Sequence, residues 1–231
     1  PNHKLKMPRA NRYARSIRDK LSKYPGLDSN NVFYTGFSYG GRSVLNELYP
    51  KTNIQIWKAL AASEPDCNSF PKPRKVSVPI LILKGGESHY PPKPCAIMSS
   101  LFKKKGTDIV LKLFPKSNHY FSHNGEQTEG VAFNGCSDDP IIILSRDKFQ
   151  TASGKSLTMD EIRNTCLTNN AGSGIGREDL DEAIDSVIDF FDEFKTIVDT
   201  KNIRLIKYYA DYSESRDNDS ILEILMDKRN Q

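Results

Sequence analysis

The chain has 231 residues, and its hydrophobic fraction of 37% is enough to build a core, which excludes a wholly disordered protein. No apolar run approaches the ~18 residues that a membrane-spanning helix needs. The net charge of +4 is too small to indicate a nucleic-acid partner, and the densest basic run, at 103–105, ends a predicted helix, where cations face the negative end of the helix dipole.

Helices and short apolar strands alternate along the first half of the chain. Residues 8–24 place apolar side chains at spacings of three and four, which predicts an amphipathic helix. Strands are predicted at 31–35, 57–62, 78–83 and 109–114, with helices at 42–49 and 94–105. The run at 78–83 is continuous, as is typical of a strand buried on both faces of a parallel sheet. This order predicts an α/β fold built from βαβ units.

The second half of the chain loses this alternation. Residues 122–176 are rich in Gly, Ser, Asn and Thr, and we expect a long excursion above the sheet that is held by a disulfide or covers an active site. A helix is predicted at 177–198 and should end one domain at about residue 200. A polar tail follows at 201–231, with a weak helix near 219–228. The predicted helix carries one apolar stripe: Leu180, Ile184, Ile188, Phe191, Phe194 and Val198.

A candidate nucleophile lies in the glycine-rich corner after the first predicted strand. Gly36-Phe37-Ser38-Tyr39-Gly40 fits the pattern G-x-S-x-G and stands between a strand and a helix. This setting raises a serine hydroxyl to the top of the sheet on a strained turn, in which larger side chains than glycine would collide. The backbone N–H of Tyr39 is then expected to face a developing oxyanion.

A serine nucleophile needs a base and an orienting acid, and in this strand–turn–helix setting they follow the serine in the order acid, then histidine. Of the four histidines, His119 lies nearest to the end of the last predicted sheet strand, 109–114, and is the expected base. The acid is expected after the third predicted strand, where Glu87 is the only carboxylate of the loop 84–89. Glu64 and Asp66, after the second strand, are the alternatives.

These residues resemble the dienelactone hydrolase family of α/β-hydrolases over roughly residues 8–198, through the stretches 36–41, 78–95 and 114–121. In that family the catalytic acid stands four residues before a proline, as Glu87 stands four before Pro91. The resemblance therefore implies an α/β-hydrolase fold, with a mostly parallel sheet flanked by helices. It also implies a catalytic triad of Ser38, Glu87 and His119.

The chain departs from the family pattern in three respects. Members named for dienelactone cleavage use a cysteine nucleophile, so Ser38 favours a serine esterase chemistry. Their acid is usually aspartate, whereas Glu87 is a glutamate. Their first strands and second oxyanion donor precede the helix that matches 8–24. No counterpart is visible here, and these parts are expected upstream of Pro1.

The four cysteines, Cys67, Cys95, Cys136 and Cys166, show no CxxC spacing, which argues against a zinc or redox site, and they allow three pairings. Secreted-type relatives pair cysteines that match Cys67 with Cys95, and they carry Gly-Cys and Thr-Cys dipeptides that match the other two. The resemblance thus implies two disulfides and an oxidising compartment, periplasmic or secreted. The alternative is four buried thiols in a cytosolic enzyme.

Two functions are compatible with these patterns. The first is hydrolysis of a small-molecule ester or a related acyl bond through an acyl-enzyme, which needs no metal or organic cofactor. The second is a non-catalytic binding or scaffolding role on the same fold. In either case the strand at 31–35 would have an open edge, which an upstream segment or a second chain could cover.

Overall fold

The computed structural model describes residues 7–24, 27–50, 55–121, 134–168, 171–174 and 176–196. Residues 122–133 of the expected excursion and the tail at 201–231, with the helix expected near 219–228, lie outside these ranges. The helices and strands are, in chain order, α1 Met7–Leu21, β1 Tyr34–Phe37, α2 Tyr39–Leu45, β2 Leu60–Ser63, β3 Ser69–Pro71, β4 Ile80–Gly85, α3 Lys93–Lys103, β5 Ile109–Phe114, β6 Ile141–Ser145, β7 Lys148–Thr151, β8 Ser156–Leu157, α4 Met159–Cys166 and α5 Leu180–Phe194.

The main sheet contains four parallel strands in the order β1-β2-β4-β5, and these are the four strands that the sequence predicts. Each begins within three residues of its predicted start. Because all four run in the same direction, their carboxyl ends meet at one edge of the sheet. The loops after β1, β2, β4 and β5 therefore converge there, which is where α/β proteins place their sites.

Helices cover both faces of this sheet, so the chain has the predicted α/β architecture. Along β4, Ile80 and Ile82 face a core that includes α2 and α3, whereas Leu81 and Leu83 face α5. This alternation follows from the two-residue period of a strand. All six residues of β4 are buried, which explains why its sequence is apolar without interruption until Lys84.

The helix α1 contacts the rest of the chain mainly through polar side chains. The helix is tied to the turn after α2 by polar side chains, since Arg15 pairs with the buried Glu47 and Asn11 donates to the same carboxylate. Its apolar side is left open, and Ile17 is 56% exposed. That side lines a surface cavity of about 600 Å³ together with Trp57 and residues of the segment 27–34.

The stripe predicted for α5 is wrong in part. Ala183 is buried against the sheet, while Ile184 and Ile188 are about half exposed. The helix is apolar on two adjacent sides, so its period alone could not identify the side that meets the sheet. Of the helices that the structure describes, none combines the length and apolarity needed to cross a membrane.

The segment expected to be an excursion without regular structure contains a second sheet. Its strand order is β3-β6-β7-β8, with β3 and β6 parallel and the remaining pairs antiparallel. α4 packs against it through Ile162, beside the buried Ile141. The strand β3, which branches off after β2, joins this sheet to the main one. Its strands are two to five residues long, too short for a clear alternating pattern in the sequence.

Candidate active site

Ser38 occupies the turn between β1 and α2 in a backbone conformation that is rare for residues other than glycine, with φ 52° and ψ −111°. A Cβ atom added to Gly36 would lie 2.5 Å from the backbone of Gly40, and one added to Gly41 would lie 2.5 Å from the carbonyl oxygen of Ser63. The turn therefore excludes side chains at these two positions. Gly40 itself has open space around its Cα, so the expected collision does not apply to it.

His119 lies in the loop after β5, and its imidazole reaches across the carboxyl edge of the sheet to Ser38. Its Nε2 is 2.9 Å from Ser38 Oγ, a hydrogen-bond distance at which the ring can accept the hydroxyl proton. The imidazole is 2% exposed. The nucleophile and base expected from the sequence are therefore neighbours in the structure.

The carboxylate that contacts His119 is that of Glu64. Its Oε2 lies 3.0 Å from His119 Nδ1, on the opposite side of the ring from Ser38. Glu64 directly follows β2, is fully buried, and has a positive φ of 50°. Since β2 lies between β1 and β4, the end of β2 is close to both the serine turn and the histidine loop.

Glu87, which the sequence favours as the acid, is directed elsewhere. Its side chain accepts a hydrogen bond from Ser173 Oγ at 2.7 Å, and its carbonyl oxygen accepts one from the Ser173 N–H at 2.8 Å. These bonds attach the segment ahead of α5 to the loop after β4. The structure thus places Glu64, one of the two alternatives, where Glu87 was expected. Asp66, the other, accepts from the backbone N–H of Asn68.

The Glu64 carboxylate has several hydrogen-bond donors. Oε2 accepts from Lys84 Nζ at 2.7 Å and from Ser88 Oγ at 2.8 Å, and Oε1 accepts from the backbone N–H of Gly85. Burial raises the pKa of Glu64, but the charge of Lys84 and the hydrogen bonds from His119 and Gly85 outweigh it, so the pKa lies below the ordinary value of 4.5. Glu64 is therefore ionised at neutral pH.

Aromatic rings surround His119 on its remaining sides. The ring of His89 lies closest, with centroids 4.2 Å apart, and the rings of Phe37, Tyr90 and Tyr120 lie at 5.1 to 5.7 Å. Burial, together with the charges of His119 and Lys84, lowers the pKa of His89 to about 4. His89 is thus neutral at pH 7 and packs against His119 without repelling a proton there.

A disulfide and hydrogen bonds from Arg42 hold the loop that carries Glu64. Cys67 is bonded to Cys95, at the start of α3, with an S–S distance of 2.04 Å. Arg42, one turn after Ser38, donates to the carbonyl oxygens of Asp66 and Ser69. The second pair, Cys136 with Cys166, joins the segment at 134–137 to the end of α4. Both cysteine pairings are those that the resemblance implies.

One sequence signal could have identified Glu64. Lys84 interrupts the apolar strand β4, and a lysine inside a fully buried strand needs a buried counter-charge. Glu87 lies in a polar loop among Gly, Ser and His, whereas Glu64 follows the apolar run Leu60–Ser63. A glutamate next to a buried run is the better partner for a buried lysine.

The strand order, the strained serine turn and the histidine after β5 have the arrangement found in the catalytic half of an α/β-hydrolase fold. No protein-family model matches the chain, and no curated protein matches it significantly. Solved structures do resemble it in part. A protein assigned as a dienelactone hydrolase of Klebsiella pneumoniae is 19% identical over 52% of this chain, with a TM-score of 0.41.

Two further solved structures resemble part of the chain in the same way. Thermogutta terrifontis esterase 2 phosphorylated by paraoxon is 18% identical over 54% of this chain, with a TM-score of 0.42. A variant of Arabidopsis thaliana SOBER1 is 24% identical over 53%, with a TM-score of 0.37. The chain spans 52%, 58% and 61% of the lengths of these three proteins. These likenesses are partial in coverage and low in identity.

Proposed function

We propose that the protein is a serine hydrolase that cleaves an ester or a related acyl bond, with Ser38 as nucleophile, His119 as base and Glu64 as acid. The observation that carries this proposal is the continuous chain of hydrogen bonds from Ser38 Oγ through His119 to the buried Glu64. A serine on a strained turn, bonded to an imidazole that is itself oriented by a carboxylate, is an activated nucleophile.

The geometry supports a two-step reaction. As Ser38 Oγ attacks the substrate carbonyl carbon, its proton passes to His119 Nε2, and Glu64 stabilises the imidazolium. The tetrahedral intermediate then expels the alcohol, which takes the proton from His119 and leaves an acyl group on Ser38. Water, deprotonated by His119, attacks this ester in turn, and the carboxylic acid leaves as Ser38 regains its proton.

Stabilisation of the oxyanion is assigned to the backbone N–H of Tyr39. Tyr39 is the first residue of α2, and the N-terminal end of a helix favours negative charge. Tyr39 directly follows Ser38 in the chain, which supports this assignment. One such donor contributes roughly 10²–10³ in rate. A small-molecule ester is the proposed substrate class, and this chemistry needs no metal or organic cofactor.

A fluorophosphonate probe tests the proposal directly. The full chain is incubated with the probe, digested, and the labelled peptide is identified by mass spectrometry, with Ser38→Ala as the control. We expect labelling at Ser38 that is lost in Ser38→Ala and strongly reduced in His119→Ala. Hydrolysis of aryl esters of increasing acyl length then measures turnover and the preferred acyl size.

Two results would count against the enzyme. A folded protein that is not labelled at Ser38 and hydrolyses no aryl ester would favour the binding or scaffolding alternative. Labelling at a serine other than Ser38 would reject the site. A labelled protein without esterase turnover would retain the activated serine and redirect the search toward other acyl substrates.

We also propose an oxidising location, periplasmic or extracellular. Two disulfides within the described residues support it, because cytosolic reductants keep such pairs reduced in most organisms. Mass spectrometry of protein purified without reductant, after alkylation, should find no free thiol. Four alkylated cysteines in natively expressed protein would contradict this location.

A covering partner for the edge of the main sheet is the last part of the proposal. Among the described strands, β1 pairs only with β2, so its outer edge is open. The exposed apolar sides of α1 and α5, including Ile17 and Ile188, flank that edge. Another polypeptide segment or a second chain would pair with β1 and bury these side chains. Light scattering of the purified chain should detect self-association if the cover is a second copy.

A further inference from the structure

A fully buried lysine contacts the candidate acid. Lys84 is the fifth of the six residues of β4, and its side chain has no exposure to solvent. Its ammonium lies 2.7 Å from Glu64 Oε2 and 3.3 Å from Ser88 Oγ. The same oxygen of Glu64 lies 3.0 Å from His119 Nδ1. The lysine and the histidine therefore share one carboxylate oxygen.

We propose that Lys84 is a positioning residue that sets the proton affinity of the Glu64–His119 pair, with Ser88 as the neutral hydrogen bond that orients the carboxylate. This inference depends on the proposed function, because it concerns how readily His119 can act as a base. The hydrogen bonds of the buried lysine go to Glu64 and Ser88, and in this proposal it acts on His119 through Glu64.

The physical reason is the sign of the charges. A buried carboxylate with no other counter-charge would bind a proton tightly, either on itself or on the adjoining imidazole. A proton held more tightly on this pair opposes transfer of the Ser38 proton to His119. The charge of Lys84, next to the same oxygen, opposes that proton and leaves His119 free to act as a base.

The other titratable groups near the pair do not replace this charge. Among the described residues, Lys84 and His119 are the cations that lower the pKa of Glu64. His89 stacks on His119 but is neutral, because burial lowers its pKa to about 4. Burial raises the pKa of Tyr90, whose ring lies 5.8 Å from Lys84 Nζ, to about 12, so it is also neutral. Within the part of the chain that the structure describes, two further titratable groups face this cluster: Tyr120, in ring contact with His119, and Asp66, whose charge acts on Tyr90.

The test is the pH dependence of fluorophosphonate labelling of Ser38, from pH 4 to 10, in the full-length wild type and in Lys84→Met. Since the ammonium and the imidazole contact the same oxygen, they lie within about 6 Å of each other. Loss of the Lys84 charge should therefore shift the acidic limb of the labelling rate, where the rate falls at low pH, to higher pH by about one to two units. At pH 9 the two proteins should be labelled at rates within about threefold, because the base is then deprotonated in both.

A purely structural role predicts a different profile. If Lys84 only supports packing, Lys84→Met should lower the labelling rate by the same factor at every pH, and an unshifted limb would overturn the inference. The matched control is Ser88→Ala, which removes a neutral donor to the same oxygen; we expect its limb to stay within about half a pH unit of wild type.

A second comparison applies if Lys84→Met does not fold, as circular dichroism would reveal. Glu64→Gln/Lys84→Met removes both charges of the buried pair, which proteins tolerate better than the loss of one. The acidic limb of labelling in this double variant should lie at least about one pH unit above the limb in Glu64→Gln. If the two limbs coincide, the proposed role of Lys84 is rejected. If the wild type is labelled at Ser38 but the acidic limbs of the variants do not shift, this inference alone is refuted. If the wild type is not labelled at Ser38, the proposed function is refuted as well.

Discussion

Replacing Glu64 by glutamine, with the same change at Glu87 as a matched control, separates the two candidate acids most sharply. Both residues follow neighbouring strands at the carboxyl edge of the sheet, and both substitutions remove one charge while keeping the size of the side chain. Glu64 is fully buried and bonded to His119, whereas Glu87 is bonded to Ser173. The structure therefore predicts a large loss of rate for Glu64→Gln and almost none for Glu87→Gln.

Glu64→Gln is expected to lower kcat because it removes the charge that stabilises the imidazolium and the acceptor that orients the His119 ring. Neutral replacement of a triad acid costs about 10⁴ in kcat in serine proteases, and we expect at least about 10³ here, equivalent to roughly 4 kcal/mol of transition-state stabilisation. Glu87→Gln should change kcat by less than about threefold, because its carboxylate lies outside the hydrogen-bond chain from Ser38 through His119 to Glu64.

Stability has to be measured beside the rate. Glu64→Gln leaves the ammonium of Lys84 buried without its counter-charge, and breaking a buried pair from one side costs about 3–5 kcal/mol. Thermal unfolding followed by circular dichroism shows whether the variant is folded at the assay temperature, and rates are compared only below that transition. A poorly folded variant would lose rate for a reason unrelated to catalysis.

The assay uses hydrolysis of a short-chain aryl ester, with fluorophosphonate labelling of Ser38 as a second readout. If folded Glu64→Gln keeps a rate within about tenfold of wild type, Glu64 is not the acid of the triad. A large loss in Glu87→Gln together with a small one in Glu64→Gln would restore the acid expected from the sequence and refute the reasoning from the structure.

The remaining predictions concern the turn, the disulfide and the response to acid. Gly36→Ala should abolish Ser38 labelling or folding, because its Cβ would lie 2.5 Å from backbone, whereas Gly40→Ala, with open space, should keep labelling. Replacing both Cys67 and Cys95 by serine should lower the free energy of unfolding by about 3–4 kcal/mol in urea titrations, given the sequence separation of 28 residues. Because the pKa of Glu64 is lowered on folding, its stabilising contribution is present above the ordinary value of 4.5 and is lost as the pH falls through the folded value. Denaturation midpoints from pH 7 to pH 3 should therefore fall more steeply in wild type than in Glu64→Gln, and parallel curves would contradict this.

Local patterns in the sequence were sufficient to locate the four strands of the main sheet and two residues of the candidate site, Ser38 and His119. Short runs of apolar residues at or just before β1, β2, β4 and β5 alternate with helical segments, and this order predicts βαβ units without knowledge of which strands pair. Ser38 could be identified because its turn requires glycine within a few residues. His119 could be identified because it directly follows the last of these strands.

The acid could not be identified in this way, because its identity depends on distances between side chains that are far apart in sequence. Glu64 and Glu87 both follow a strand, and only the placement of β2 between β1 and β4 brings one of them to His119. The Gly85 N–H, Lys84 and Ser88 then complete a buried site for that carboxylate. The one local signal for this combination is Lys84, which interrupts the buried strand β4 and requires a buried counter-charge.

The contact faces of the helices and the second sheet also required the tertiary structure. α1 and α5 each have more apolar surface than one contact uses, so the packing partner decides which side is buried. The strands β6, β7 and β8 are too short to show a period, and β3 joins them only because the chain turns away after β2. Sequence thus determined the elements with strong local periodicity and the residues that a tight turn demands. Pairings across the fold, including that of His119 with Glu64, were decided by where the strands lie relative to one another.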